Sequence, residues 1–299
     1  MLTGKNGQLG WELARSLARL GEVNGCDREL MNLADPDAMV KTMRTMRPQL
    51  IVNAAAYTAV DRAESEPELA HKINAVAPRI IADEAQALGA AIIHYSTDYV
   101  FDGDDKGARV ESDPPNPRSA YGRSKLAGEQ AVAASGAAHC IFRTSWVYAS
   151  RGKNFLLTML RLAREKPELR VIADQIGAPT WARVIAEATA NVIGQLTERG
   201  TINSNSLIDA MRACGGIYHL TASGSTSWHG FAQTILREAG LTTPLQPITT
   251  AEYPLPASRP ANSRLSCARL GREFGIVLPA WETSLHACMA ELETQLPLR

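Results

Sequence analysis

Tyr121 and Lys125 stand four residues apart, so a helix places them on one face. An ammonium held beside a phenol stabilises the phenolate and lowers its pKa from about 10 toward the working range of a general acid. Thr97 closes an apolar run that begins Ala90-Ala91-Ile92-Ile93, and its hydroxyl can hydrogen-bond the same carbonyl oxygen. Groups of these three kinds can deliver a proton to an oxygen while hydride reaches its carbon. The Tyr-x-x-x-Lys spacing alone says little, because chance supplies roughly 0.16 such pairs in a chain with seven Tyr and seven Lys. A structural pair on a solvated helix face is its default meaning. Its weight comes from the elements that position it.

Gly4-Lys5-Asn6-Gly7-Gln8-Leu9-Gly10 is a Gly-x-x-Gly-x-x-Gly loop, followed by Leu13, Leu17 and Leu20 at helical spacing. Glycines there let backbone N–H groups approach a pyrophosphate at a helix N-terminus. Only Met1-Leu2-Thr3 precede the loop, where a buried strand usually has about five residues. Either the strand is short or the start of the chain lies further upstream. Glu22 to Asp27 reads as the second strand. Asp27 suits the adenosine ribose of NAD and Arg28 a 2′-phosphate, so NADH and NADPH both stay open as cofactors. Asp35 caps a helix with Pro36 at its first position.

Leu50 to Asn53 is a third strand, running into the small residues of Ala54-Ala55-Ala56-Tyr57-Thr58. Asp61, Glu64 and Glu66 read as a solvated helix start. Ile73 to Gly89 is a helix with a glycine stop. Ala91 to Ser96 is the fourth strand, with Thr97 at its C-terminal end, where doubly wound sheets bind ligands. His94 on that strand reads as a core histidine. Gly103 to Pro117 is a loop, the helix of Tyr121 follows, and His139 to Thr144 is a fifth strand. This alternation predicts an α/β fold with a doubly wound parallel sheet.

Basic and acidic residues number 31 each, which excludes a charge-driven nucleic-acid partner or anionic membrane surface. Five scattered Cys, never spaced Cys-x-x-Cys, read as reduced thiols of a cytoplasmic protein. No membrane span or signal-peptide pattern is expected.

The segments GKNGQLG, VNAAAYTAVDRAE, HYSTDYVFDG, YGRSKLAGE, RTSWVYA, DQIGAPT and RPANSRL run from Gly4 to Leu265. Together they resemble the extended short-chain dehydrogenases/reductases, and more closely the dTDP-4-dehydrorhamnose reductase family. The resemblance implies a Rossmann-type fold with a smaller C-terminal substrate lobe, and NAD(P)H-dependent reduction of a nucleotide-bound 4-keto sugar. It implies that Tyr121 is the proton donor, Lys125 its partner and a ribose ligand, and Thr97 the group orienting the ketone. Gly4, Gly7, Gln8, Leu9 and Gly10 would hold the pyrophosphate. Asp27, Arg28, Asn32, Leu33, Ala56, Tyr57, Thr58 and Tyr95 would line the dinucleotide. Asp98 and Trp146 would face the sugar nucleotide. Relatives form homodimers, some with Mg2+ between acidic side chains, and Glu12 is the candidate here.

The second half reads as the lobe. Asn154 to Arg164 is a helix, Val171 to Asp174 an extended segment, Trp181 to Leu196 a helix, Glu198 to Cys214 an exposed loop, and Tyr218 to Leu220 a strand. The expected division is residues 1–150 with 178–216 for the dinucleotide, and 151–177 with 217–299 for the substrate. Arg259 and Arg264 in the Pro254 to Arg264 loop suit a diphosphate clamp, against a solvated turn as the plainer reading. A dehydratase or epimerase would need another acid or base beside Thr97, and Asp98-Tyr99 is no Asp-Glu pair. A non-catalytic regulatory subunit would have no need of the intact Thr97, Tyr121 and Lys125.

Overall fold

The computed structural model describes residues 1–199 and 204–295. Strands β1 (Leu2–Thr3), β2 (Gly25–Cys26), β3 (Leu50–Asn53), β4 (Ala91–Thr97) and β5 (His139–Thr144) form one sheet with the Gly216–His219 strand. Its order is β2-β1-β3-β4-β5 and then Gly216–His219, all parallel. A parallel sheet buries both faces, and here the period of two divides neighbouring residues between two cores. Val52, Ile93 and Phe142 face one side, with Leu13 and Leu17 of helix α1 (Gln8–Leu17) and Ile185 and Val192 of the Ala182–Arg199 helix. Ile51, Ile92 and Ile141 face the other, with Met39 and Met43 of α2 (Pro36–Met46) and Ile81 and Ala85 of the Ala77–Leu88 helix. The expected α/β doubly wound sheet is present.

β1 is two residues long, and backbone pairing on both edges compensates. It lies between β2 and β3, and the Met1 amino group donates to the Leu50 carbonyl at 2.8 Å. β2 is shorter than expected, Gly25–Cys26 instead of Glu22 to Asp27. Asp35 caps α2 through the Ala38 N–H, with Pro36 in the first turn. The segment expected as an exposed loop contains a helix, Ser204–Cys214. Its Leu207, Ile208 and Met211 pack on the core, a helical spacing obscured by polar neighbours. Residues 200–203 of that expectation lie outside the described residues.

The substrate-side elements do not have a separate core. Leu156 and Leu160 of the Phe155–Glu165 helix, Phe231 of the Trp228–Glu238 helix and Leu285 of the Trp281–Gln295 helix join the cluster that reaches Phe142 and Tyr218 in the sheet. A second parallel pair, Leu169–Ile172 with Leu245–Ile248, lies outside the main sheet.

Candidate active site

Connections from the C-terminal ends of β1 and β3 diverge to opposite sides of the sheet, which opens a crevice there. The glycine loop lines one wall. Gly4 has φ 68, and a Cβ on Gly10 would stand 2.0 Å from the Gly4 carbonyl oxygen, so the loop closes only with glycine at both places. Gly7 precedes α1 and no side chain caps the helix, whose first N–H groups therefore stay available to an anion. The Gln8 side chain is held by Asn154 at 2.8 Å. These residues fit a dinucleotide pyrophosphate.

The other wall is Ala54 to Thr58. Thr3 receives the Ala55 N–H at 3.1 Å and donates to Asn53 at 2.7 Å, which joins this wall to β1. Asn74 accepts from the Tyr57 N–H at 2.8 Å, and its amide donates to the Tyr57 carbonyl and to Ser124. Asn74 sits in a π-helical turn, Lys72–Val76, a distortion often found at functional sites. Its neighbours gave no sequence signal for this role, because the partners are 17 and 50 residues away.

The helix of Tyr121, α3 (Ala120–Ala134), starts where Ser119 accepts from the Gly122 N–H at 3.0 Å and Glu64 from the Ala120 N–H at 2.7 Å. The acids expected as a solvated helix start are all engaged. Besides Glu64, Glu66 accepts from the Tyr57 hydroxyl at 2.6 Å, and Asp61 is bonded by Arg259 at 3.0 and 2.7 Å.

Tyr121 and Thr97 come together, and Lys125 lies one helical turn further along α3. Thr97 ends β4 and its hydroxyl stands beside the Tyr121 phenol. It also accepts from the Tyr99 N–H at 3.2 Å and donates to Asp98 at 3.1 Å. The electrostatics differ from the expectation that Lys125 lowers the phenol's pKa. Burial pushes Tyr121 up to about 12, and the Thr97 hydroxyl beside it opposes the rise. Lys125 is buried, donates to the Tyr95 carbonyl at 2.6 Å, and makes no hydrogen bond to the phenol among the described residues. Burial lowers Lys125 to about 8, with Glu129 opposing. Four-residue spacing gives a shared face, but a carbonyl within reach decides where the buried ammonium points.

Asp98 is 2% exposed and burial raises it to about 6. Trp146 has φ 49, and its ring stacks on Trp228 at 3.5 Å and 8°. A Cβ at Gly177 would lie 2.5 Å from that ring, so this seat needs glycine. Asp27 pairs with Lys5 at 3.0 Å, and Arg28 beside it is exposed. Asn32 accepts from the Ala34 N–H, and Leu33 belongs to the core. Tyr95 directs its phenol to Thr189 and offers only its carbonyl to Lys125. Arg264 bonds Asn262 and the Lys106 carbonyl, so its guanidinium already ties two loops. His94 bonds Asn53 at 3.0 Å and is lowered well below its usual range by burial, as a core histidine.

Glu12 does not fit a resident metal. Its buried carboxylate is bonded by Arg183 at 3.1 and 3.3 Å, and that guanidinium also reaches Glu291 at 2.6 Å. A guanidinium holds the place a cation would need, and no three His, Cys, Asp or Glu side chains converge among the described residues. A cavity of about 680 Å³ between Leu2, Leu17 and Arg47 contains none of the residues named for the site.

A phenol beside a strand-end threonine, a lysine one helical turn on, and an uncapped glycine-rich helix start define a short-chain dehydrogenase/reductase. A family model described as the RmlD substrate binding domain matches residues 1–294. A dTDP-4-dehydrorhamnose reductase of Burkholderia thailandensis is 47% identical over 304 residues, covering 99% of each protein. The solved structure of a dTDP-4-dehydrorhamnose reductase from Clostridium acetobutylicum has a TM-score of 0.89 at 37% identity, covering 98% of both chains. That of the Bacillus anthracis reductase, in complex with NADP, has a TM-score of 0.86 at 36% identity over 97% of this chain and 98% of that one. The chain belongs to the dTDP-4-dehydrorhamnose reductase family.

Proposed function

We infer that the chain reduces dTDP-4-dehydro-β-L-rhamnose to dTDP-L-rhamnose, the last step of dTDP-L-rhamnose synthesis, using NADPH or NADH. The observation that carries this reading is the placing of Tyr121, at the start of α3, beside Thr97, at the end of β4, above the crevice that the glycine loop lines. When bound, the nicotinamide supplies the hydride. Tyr121 gives its hydroxyl proton to the ketone oxygen as charge develops there. Thr97, once its hydroxyl turns from Asp98, orients that oxygen. Lys125, charged below about pH 8, would hold the cofactor ribose from the same helix as Tyr121.

Gly4, Gly7, Gln8, Leu9 and Gly10 would receive the pyrophosphate. Asp27, Arg28, Asn32 and Leu33 stand at the adenosine end, and Ala56, Tyr57, Thr58 and Tyr95 at the other wall. Asp98, Trp146, Arg259 and Arg264 would take the sugar nucleotide. Residues 1–150 with 178–216 would form the dinucleotide domain, and 151–177 with 217–299 the lobe; the Gly216–His219 strand at that boundary pairs with β5. The protein would work as a cytoplasmic homodimer; no helix among the described residues is long and apolar enough to cross a membrane.

The test is oxidation of NADPH and NADH with and without the keto-sugar nucleotide. Substrate-dependent oxidation supports the reductase. Turnover of a sugar nucleotide with no net cofactor oxidation indicates an epimerase or dehydratase, and no turnover of either a regulatory subunit. Sedimentation velocity tests the dimer, and a single monomer boundary at assay concentration would exclude it.

A further inference from the structure

We propose that Trp228 is a positioning residue for Trp146, and that with Gly177 it closes both faces of the Trp146 indole, so that a sugar nucleotide meets only the edge of that ring. This rests on the reading of the chain as a reductase in which Trp146 faces the substrate. Trp146 lies two residues beyond β5 with φ 49, a backbone state that a bulky side chain keeps only where its surroundings over-determine it. The Trp228 ring lies 3.5 Å from the Trp146 ring at 8° and so covers one face. Aromatic pairs left to themselves prefer offset or edge-on arrangements with centroids about 4.5–7 Å apart, so the elements that carry these two rings impose the close parallel stack. A Cβ on Gly177 would stand 2.5 Å from Trp146 Cε2 and 2.8 Å from both of that atom's neighbours, Cζ2 and Nε1. Equal distances to the two neighbours place Gly177 over the ring rather than beside it. No Trp228 atom would come as near to that Cβ, although a ring stacked on the same face would touch it, so the two cover opposite faces.

The two covers are joined to each other. The Ile176–Gly177 strand pairs antiparallel with Thr226–Ser227, which sets Gly177 opposite Thr226, two residues before Trp228. Ser227 accepts from the Gly230 N–H at 3.0 Å and caps the helix whose first residue is Trp228. The Trp228 indole N–H donates to the buried Gln175 at 3.2 Å, and Gln175 donates in turn to Thr250 at 3.0 Å. Phe155 packs against the same ring with 4.6 Å between centroids. Trp228 thus has a polar anchor and an apolar backing, and it holds Trp146 in one orientation before any ligand arrives. A ring ordered in advance reduces the ordering that binding requires. A sugar stacking on a face of Trp146 would first have to displace one of the two covers.

Steady-state kinetics with NADPH and the keto-sugar nucleotide, with the NADPH Kd from fluorescence titration, test this in the parent, Trp228→Phe, Trp228→Leu, Gly177→Ala, Trp146→Ala and the Trp146→Ala, Trp228→Leu pair. Trp228→Leu should lower kcat/KM for the sugar nucleotide by about tenfold or more and leave the NADPH Kd within about twofold. Trp228→Phe keeps a ring and should recover part of that loss. Gly177→Ala presses on the other face and should show the same selective loss. Trp146→Ala has no indole to hold, so adding Trp228→Leu to it should cost less than about twofold more. A full further loss in that background overturns the proposal, because Trp228 then acts on something other than Trp146. So does an unchanged kcat/KM in both Trp228→Leu and Gly177→Ala, or a loss that NADPH binding shares equally in all three single variants at these two positions. A parent with no substrate-dependent NADPH oxidation overturns the reductase reading itself and this inference with it.

Discussion

Tyr121 is the residue on which the chemistry turns. Tyr121→Phe removes one hydroxyl and keeps the ring that packs edge-on against Tyr99 at 5.5 Å. Turnover should fall by about 10² to 10⁴ with little change in cofactor Kd; near-native turnover would take the phenol out of the mechanism. Asp98 makes a prediction of opposite kind. In the fold it keeps its proton up to about pH 6, whereas the unperturbed value is 3.8. Between those values the native state holds more protons than the unfolded chain, so stability falls as pH rises through the window. Above it the deficit is about 3 kcal/mol. Asp98→Asn keeps an acceptor for Thr97 and cannot ionise. Its thermal midpoint relative to the parent should therefore rise between about pH 4 and 7. A difference that stays constant with pH would show that Asp98 is already solvated in the native state.

At the scale of elements, α3 and β5 are joined by one buried ion pair. Arg143 donates to both Glu129 oxygens, at 2.9 and 2.6 Å, and each side chain is 3% exposed. Arg143 also lies 5.0 Å from the Phe101 ring centroid. Removing one partner strands the other charge, so Glu129→Ala should lose about 3–5 kcal/mol in chemical denaturation. Glu129→Leu combined with Arg143→Met should recover most of that, and no recovery would place the loss in packing instead. The same pair reaches the chemistry, because the Glu129 charge raises Lys125 against burial. Glu129→Gln should move the alkaline limb of the kcat/KM profile to lower pH. An unmoved limb would uncouple Lys125 from it.

At the scale of the whole molecule, Asp61 and Arg259 join segments 198 residues apart. Asp61 also accepts from the Ala257 N–H at 3.2 Å, so the C-terminal loop is held over the helix after β3. The guanidinium is oriented before any substrate arrives, which reduces the ordering that binding requires. Arg259→Ala should raise KM for the sugar nucleotide by about tenfold or more and leave the cofactor Kd within about twofold. Arg259→Lys should restore only part, since it lacks the two-pronged contact. Unchanged KM in both Arg259→Ala and Arg264→Ala would make the loop purely structural.

Local features of the chain were enough for the strand and helix alternation, the Asp35 cap and the glycine loop, because each depends on residues within a few positions. The Tyr121–Lys125 face and the placing of Thr97 at a strand end follow from helix and strand periods alone. Other features depend on partners far along the chain, and those only the tertiary structure decided. Lys125 points to the Tyr95 carbonyl because burial makes an unpaired ammonium costly and that carbonyl is within reach. Asp61, Glu64 and Glu66 look like a solvated acidic turn in one dimension, yet each has a partner supplied by folding. The Ser204–Cys214 helix was hidden by its polar composition until the sheet provided a face for Leu207 and Met211. Propensity and spacing act over one or two turns, whereas desolvation acts on whatever the fold brings together. For that reason the reaction class was legible in the sequence, and the charge state of its phenol and lysine was not.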